Sequence, residues 1–125
     1  MMPWDLKPDR PIYTQLIEQI ELKICSGVYP LGSKLPSVRD LAQEASVNPN
    51  TMQRALAKLE ETGLIYTHRT SGRYVTEDVK MVQKVKEKLA YELVQEFLQN
   101  MKRLGFDEKE IATIIAGITG GAENA

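Results

Sequence analysis

Apolar positions in the first part of the chain fall at spacings of three and four, at Ile12, Leu16, Ile17, Ile20 and Ile24. That spacing puts them on one face of a helix. Pro11 suits its first turn and Gly27 its stop, and the loop from Val28 to Leu35, with Pro30 and Gly32, turns the chain. A second, short helix is predicted to open at Ser37, which can cap it with Asp40 as the acidic partner of a capping box; Leu41, Ala42 and Ala45 form its buried face. After Ser46-Val47-Asn48, Pro49 occupies the favoured first position of a third helix, with Asn48 as its cap. Helix, short turn, helix is the sequence form of a helix-turn-helix.

The third helix separates into two faces. Met52, Ala55, Leu56 and Leu59 follow the i, i+3, i+4, i+7 rule and are expected in the core, which leaves Asn50, Gln53, Arg54 and Ala57 pointing outward. Gly63 ends this helix. Leu64 to Thr67 reads as a strand, Thr70-Ser71-Gly72 as a turn and Tyr74 to Thr76 as a returning strand, which together make a hairpin or wing. From Val79 onward, Val82, Val85, Leu89, Leu93, Phe97, Met101 and Leu104 form a long apolar stripe, with Val94 and Leu98 alongside. A helix of about 25 residues would extend roughly 37 Å, more than a small three-helix core can cover. Gly105 stops it, Asp107 and Glu110 form a second capping pair, and Ile111, Ile114, Ile115 and Ile118 mark a last helix. The expected fold is therefore mainly α with a small β-hairpin. A winged helix-turn-helix over residues 8–76 is followed by a two-helix C-terminal dimerisation segment over 79–118 and a frayed tail over 119–125.

Composition narrows the function. With 125 residues there is room for one ordinary domain and a short appendage, and not for a separate enzyme domain. No apolar run approaches the roughly 20 residues that cross a bilayer, Met1 to Trp4 does not read as an export signal, and Cys25 has no second cysteine to pair with. These features point to a cytoplasmic protein with no membrane partner. Cys25 and Trp4 read as packing residues, Trp4 on the domain or on a dimer mate. One histidine, one cysteine, no glycine-rich phosphate loop and no paired C-x-x-C leave no catalytic centre, metal site or cofactor to propose. The net charge of −1 does not announce a nucleic-acid ligand, but between Asn48 and Thr76 the cations Arg54, Lys58, Arg69 and Arg73 face only Glu60 and Glu61. Such a local basic surface can attract phosphate, because screening confines each charge to about 8–10 Å.

The run Pro11-Ile12-Tyr13, Gln15-Leu16, Gly27, Gly32, Leu35-Pro36-Ser37, Arg39, Leu41-Ala42, Val47, Thr51, Arg54-Ala55-Leu56, Leu59 and Gly63-Leu64-Ile65 resembles the N-terminal winged-helix domain of GntR transcription regulators. The stretch Val47-Asn48-Pro49-Asn50-Thr51, followed by only two further helices, is similar to the small YtrA-like branch of that family. A helix fits the major groove, Asn or Gln can bond bidentately to adenine, and Arg suits guanine. Asn50, Gln53 and Arg54 are thus expected near base edges, with Asn48 at the helix start and Thr51 and Ser37 on phosphates. The resemblance implies that Arg39 lies against the groove from the preceding helix, and that the wing from His68 to Arg73, including Arg69 and Gly72, reaches the adjacent minor groove or backbone. Two departures keep base-by-base specificity from being carried over: Pro49 and Gln53 stand where many members have Arg, and Gly72-Arg73-Tyr74 stands where Gly-x-Gly is common. Blander readings stand beside these, with Arg39 paired to Asp40 or Glu44 on its own helix and Arg69 and Arg73 as ordinary hairpin charge.

The function expected from this pattern is a transcription regulator, a repressor in the first instance, that binds double-stranded DNA as a homodimer on a pseudo-palindromic operator. Val82, Val85, Leu89, Leu93, Phe97 and Met101 would form the dimer seam, and two-fold symmetry would set the recognition helices about 34–36 Å apart. The rival reading is a winged-helix protein-interaction module without specific DNA binding. The short segment after Val79 leaves little room for a metabolite pocket, and the sequence names no small-molecule effector.

Overall fold

The computed structural model describes residues 4–120, so the expectations for Met1 to Pro3 and for 121–125 of the frayed tail lie outside the described residues, whereas Thr119, expected in that tail, is the last residue of the final helix and Gly120 its cap. Five helices and one hairpin follow in order: α1 (Ile12–Cys25), α2 (Val38–Ala45), α3 (Pro49–Thr62), β1 (Ile65–His68), β2 (Gly72–Val75), α4 (Val79–Arg103) and α5 (Glu108–Thr119). Two compact units divide inside α4, one ending at Glu87 and the other starting at Lys88.

In the first unit, Leu16, Ile20 and Ile24 of α1, Leu41, Ala42 and Ala45 of α2, and Met52, Ala55, Leu56 and Leu59 of α3 close into one core with Leu64, Ile65 and Val75 from the hairpin. Local chemistry sets the boundaries. The Ser37 hydroxyl accepts from the Asp40 amide at 3.1 Å, and the Asn48 side-chain oxygen accepts from the Asn50 amide at 2.7 Å with Pro49 opening α3. Pro11 lies one position outside the expected first turn of α1, as its N-cap. Between α2 and α3 the chain turns at Ser46, the only non-glycine residue among those described with positive φ, at 56°. Gly63 closes α3 at φ 88°, and a Cβ there would meet Met81 Cε at 3.1 Å. This close approach lets the start of α4 lie on the core, with Met81, Val82 and Val85 packed against it.

The wing differs from the expected strands by one or two residues. β1 runs one residue later than Leu64–Thr67, and β2 begins at Gly72, so the turn is Arg69-Thr70-Ser71 and Thr76 follows the strand. The register pairs Ile65 with Val75, Tyr66 with Tyr74 and His68 with Gly72. Ile65 and Val75 point to the core, and the Tyr66 and Tyr74 rings stack across the other face with centroids 5.8 Å apart. A third, very short partner was not foreseen: Lys34 forms an isolated bridge to Tyr74, with the Leu35 amide donating to the Arg73 carbonyl and the Val75 amide to the Ser33 carbonyl. This ties the segment before α2 to the wing.

The N-terminal segment is fastened by buried Gln15. Its carboxamide accepts from the Lys7 amide at 2.6 Å and donates to the carbonyls of Lys7 and Arg10. Trp4 rests on the core, donates to Glu44 and carries the Lys23 ammonium 4.8 Å from its ring centre. Burial, aided by the nearby Glu44 carboxylate, pushes the half-buried Tyr29 hydroxyl up to about 12, so it stays neutral.

In the second unit, α5 begins with the expected capping box, Asp107 accepting from the Glu110 amide and Glu110 from the Asp107 amide. Lys102 and Glu108 pair at 3.2 Å. Ile111 is the one fully buried side chain that α4 and α5 contribute among the described residues. Leu93, Val94, Phe97, Leu104 and Ile118 are exposed, while Leu89 and Met101 are half-buried. The long stripe is therefore not uniform. Val82 and Val85 are occupied by the first unit's own core, and the open part begins at Leu89.

Ser46 provides a check on the turn. A left-handed conformation costs an L-residue about 1–2 kcal/mol, part of which glycine forfeits through its freer unfolded chain. Ser46→Gly is expected to raise the unfolding free energy by about 0.5–1 kcal/mol, measured by urea denaturation. A loss would show that the backbone at this turn is not left-handed.

Candidate nucleic-acid interface

Helix α3 owes its outward row to the burial of its other face. Met52, Ala55, Leu56 and Leu59 are at most 1% exposed, and this rotation leaves Asn50, Gln53, Arg54 and Ala57 in solvent. Ala57 keeps the middle of the row low, so a duplex could approach the backbone closely. Asn48 is exposed at the helix start, where its oxygen is engaged as cap and its amide N–H2 stays available. Thr51 is half-buried, less open than its neighbours.

The other expected residues lie on α2 and the wing, and Ser37, Gly72 and Arg73 among them line one cleft. Ser37 is exposed at the start of α2; its oxygen accepts from the Asp40 amide, and its hydroxyl proton remains to donate to an anion. Arg39 is exposed and makes no side-chain hydrogen bond or ion pair among the described residues, so neither Asp40 nor Glu44 holds it there. Arg69 is exposed in the wing turn. Gly72, at φ 102°, starts β2 beside the Lys34 side chain, 3.4 Å from where a Cβ would stand. Between the wing and α2 lies an open cleft of about 570 Å³, lined by Lys34, Ser37, Asp40, Ser71, Gly72 and Arg73 among others. Lys34 was missed by sequence reasoning, because a single cation in a loop carries no periodic signal.

Two further contacts were also unforeseen. Arg73 is only partly exposed: its Nε donates to Glu60 Oε1, and the Thr67 hydroxyl donates to the same oxygen. Glu60 of α3 thereby holds both wing strands. Partial desolvation is the largest single influence on this carboxyl and would raise it, but the hydrogen bonds from Thr67 and Arg73 and the guanidinium charge together hold it below its ordinary value. Arg73, expected as a phosphate ligand, thus has one N–H edge committed within the protein. The second contact is on Arg54, whose guanidinium carbon lies 4.6 Å from the centre of the Tyr13 ring. The Tyr74 hydroxyl donates to Ser71, and His68 meets the Tyr74 ring edge-on, so the one histidine is packed against the wing.

No group of three or more His, Cys, Asp or Glu side chains among the described residues could hold a metal ion, and no described helix is long and apolar enough to cross a membrane.

Comparison with known proteins identifies the family to which the fold belongs. Residues 12–75 match the family model described as bacterial regulatory proteins, gntR family. The chain is 37% identical over 112 residues to the HTH-type transcriptional regulator YhcF of Bacillus subtilis, covering 90% of this chain and 93% of that protein. It is 41% identical over 80 residues to the HTH-type transcriptional repressor YtrA of the same organism, covering 64% of this chain and 62% of that repressor. Among solved structures, a GntR family transcriptional regulator from Listeria monocytogenes superposes with a TM-score of 0.80 at 39% identity, over 90% of this chain and 98% of that one. The DNA-binding domain of AraR in complex with operator ORX1 superposes with a TM-score of 0.51 at 27% identity, over 61% of this chain and 93% of that one.

The Glu60 brace sets a pH dependence. A carboxyl whose folded value is depressed stabilises the fold fully above its ordinary value of 4.5, and that contribution is lost as pH falls through the lower folded value. Melting temperatures of wild type and Glu60→Gln should differ most near neutral pH and converge as pH falls through the depressed folded value of the carboxyl. A gap that stays constant with pH would show that the carboxylate charge does not hold the wing.

Proposed function

The chain belongs to the gntR family of bacterial regulatory proteins, DNA-binding transcription regulators rather than enzymes, and from that premise we propose that it is a cytoplasmic repressor acting as a homodimer on a pseudo-palindromic operator. One observation carries the DNA-reading half: Asn50, Gln53 and Arg54 stand together in solvent at the start of a helix whose opposite face is wholly buried. In this reading residues 8–76 form the DNA-binding domain. Asn50, Gln53 and Arg54 meet base edges in the major groove, and Asn48, Thr51, Ser37, Arg39 and Lys34 flank them on the backbone. Arg69 and Gly72 carry the wing toward the neighbouring groove, with Arg73 positioning it through Glu60. The similarity to an operator-bound AraR domain and to the repressor YtrA supports this reading.

The dimer half rests on the second unit. A helical pair with a single buried side chain and with Leu93, Val94, Phe97, Leu104 and Ile118 exposed lacks the apolar burial that stabilises an independent unit. A second copy supplies the same apolar face in return, which makes residues 79–118 the dimerisation segment, and Leu89, Leu93, Phe97 and Met101 its seam. Val82 and Val85 support that seam by anchoring α4 to the winged-helix core.

Two measurements test the halves separately. Against a duplex selected from a random-sequence library at fixed salt, Arg54→Ala is expected to weaken binding by about 1–3 kcal/mol and to relax specificity at one base pair. Unchanged affinity and specificity would remove Arg54 from the interface, and affinity indifferent to salt between about 50 and 200 mM would favour a protein-interaction module. By sedimentation at micromolar concentration the wild type should be a dimer. Leu93→Glu should raise its dissociation constant by about tenfold or more, since the seam would then bury an unpaired carboxylate. A monomeric wild type would refute the seam.

A further inference from the structure

Tyr13 stands outside the row of side chains proposed to meet DNA. It lies at the start of α1, in line with Leu16, Ile20 and Ile24, where it is half-buried and packs against the edge of the core. Its ring centre lies 4.6 Å from the Arg54 guanidinium carbon, and this ring is the contact that the structure gives Arg54 among the described residues. Arg73 of the wing is held differently, since Glu60 takes its Nε–H.

The two kinds of partner leave a guanidinium with different chemistry. A carboxylate consumes N–H donors, which lie in the guanidinium plane. An aromatic ring attracts the same cation through its face and leaves the in-plane donors free. An arginine stacked on a ring is therefore confined and still able to make the paired bonds to O6 and N7 of guanine. A long side chain confined before binding has fewer rotamers to give up when the duplex arrives, which favours association.

We infer that Tyr13 is a positioning residue for DNA reading: its ring holds the Arg54 guanidinium in place and presents the N–H edge to a base. This rests on the reading that Arg54 meets a base edge, and it adds a determinant of specificity on α1, outside the helix-turn-helix. The hydroxyl group is not needed for this role.

The test uses the full chain and the duplex that wild type selects from a random-sequence library, together with its single base-pair variants. Tyr13→Leu should weaken binding by about two- to fivefold, as expected for one exposed cation–π contact, with the loss concentrated at the base pair that Arg54→Ala relaxes. Tyr13→Phe should retain wild-type affinity and specificity. In the Arg54→Ala background, Tyr13→Leu should have no further effect, because the two side chains act as one unit. An equal loss on every duplex, or the same loss with and without Arg54, would mark Tyr13 as structural support alone and overturn the inference. So would a gain of affinity in Tyr13→Leu, or a loss in Tyr13→Phe as large as in Tyr13→Leu. Should Arg54→Ala relax one base pair while Tyr13→Leu changes nothing, the inference fails and the proposed function stands. Should wild type select no duplex, the proposed function fails and the inference with it.

Discussion

The first unit depends above all on how α3 is rotated about its own axis. Four side chains, Met52, Ala55, Leu56 and Leu59, have to leave water together, and the 3.6-residue period permits this in only one orientation. Once that orientation is taken, the remaining side chains have no freedom to choose their side. Asn50, Gln53 and Arg54 face solvent because the core lies behind them. The caps at Ser37 and Asn48 and the left-handed turn at Ser46 then fix where α3 starts relative to α2. The proposed reading surface is thus a by-product of hydrophobic burial, with affinity for DNA depending on which polar residues occupy positions that the core does not need.

What the sequence made legible follows from the range of each signal. Helices announce themselves through periodicity and caps, and α2, α3 and α5 start where Ser37, Asn48 and Asp107 say they should. The wing was placed less well. A strand of four residues has too few alternations to fix its ends: β2 starts at Gly72, which pairs with His68, and Ser33 and Leu35 bond to the strand from a distant segment. The braces were not legible at all. Nothing local distinguishes Glu60 from Glu61, yet one holds the wing and the other pairs with Lys58 at 3.6 Å on the helix surface. Tyr13 could be named in a motif, but its contact with Arg54 joins residues far apart in the chain.

The C-terminal stripe shows the same limit in another form. Periodicity establishes that Val82, Val85, Leu89, Leu93, Phe97 and Met101 share a helix with an apolar face, and it says nothing about what covers each of them. The first unit covers the beginning, through Met81, Val82 and Val85, and leaves the rest open. The start of α4 thus belongs to the unit whose core orients α3. Gly63 permits that packing, since Met81 occupies the space a larger residue would need.

Charge completes the argument. In a chain with a net charge of −1, attraction for DNA rests on local cations, and some of those near the proposed reading surface are already used: Arg73 by Glu60 and Lys58 by Glu61. Each phosphate neutralised contributes to affinity irrespective of sequence, so a surface with two of its cations paired internally binds random duplex less tightly than one with all of them free. The genome offers an enormous excess of such random sites, and weak non-specific binding lowers their competition. Discrimination then rests on base-edge contacts, and these require side chains held in advance in the right pose. A guanidinium stacked on an aromatic ring meets that requirement without adding net charge, which is why a regulator of this low basicity would gain more from the Tyr13–Arg54 contact than from another surface lysine.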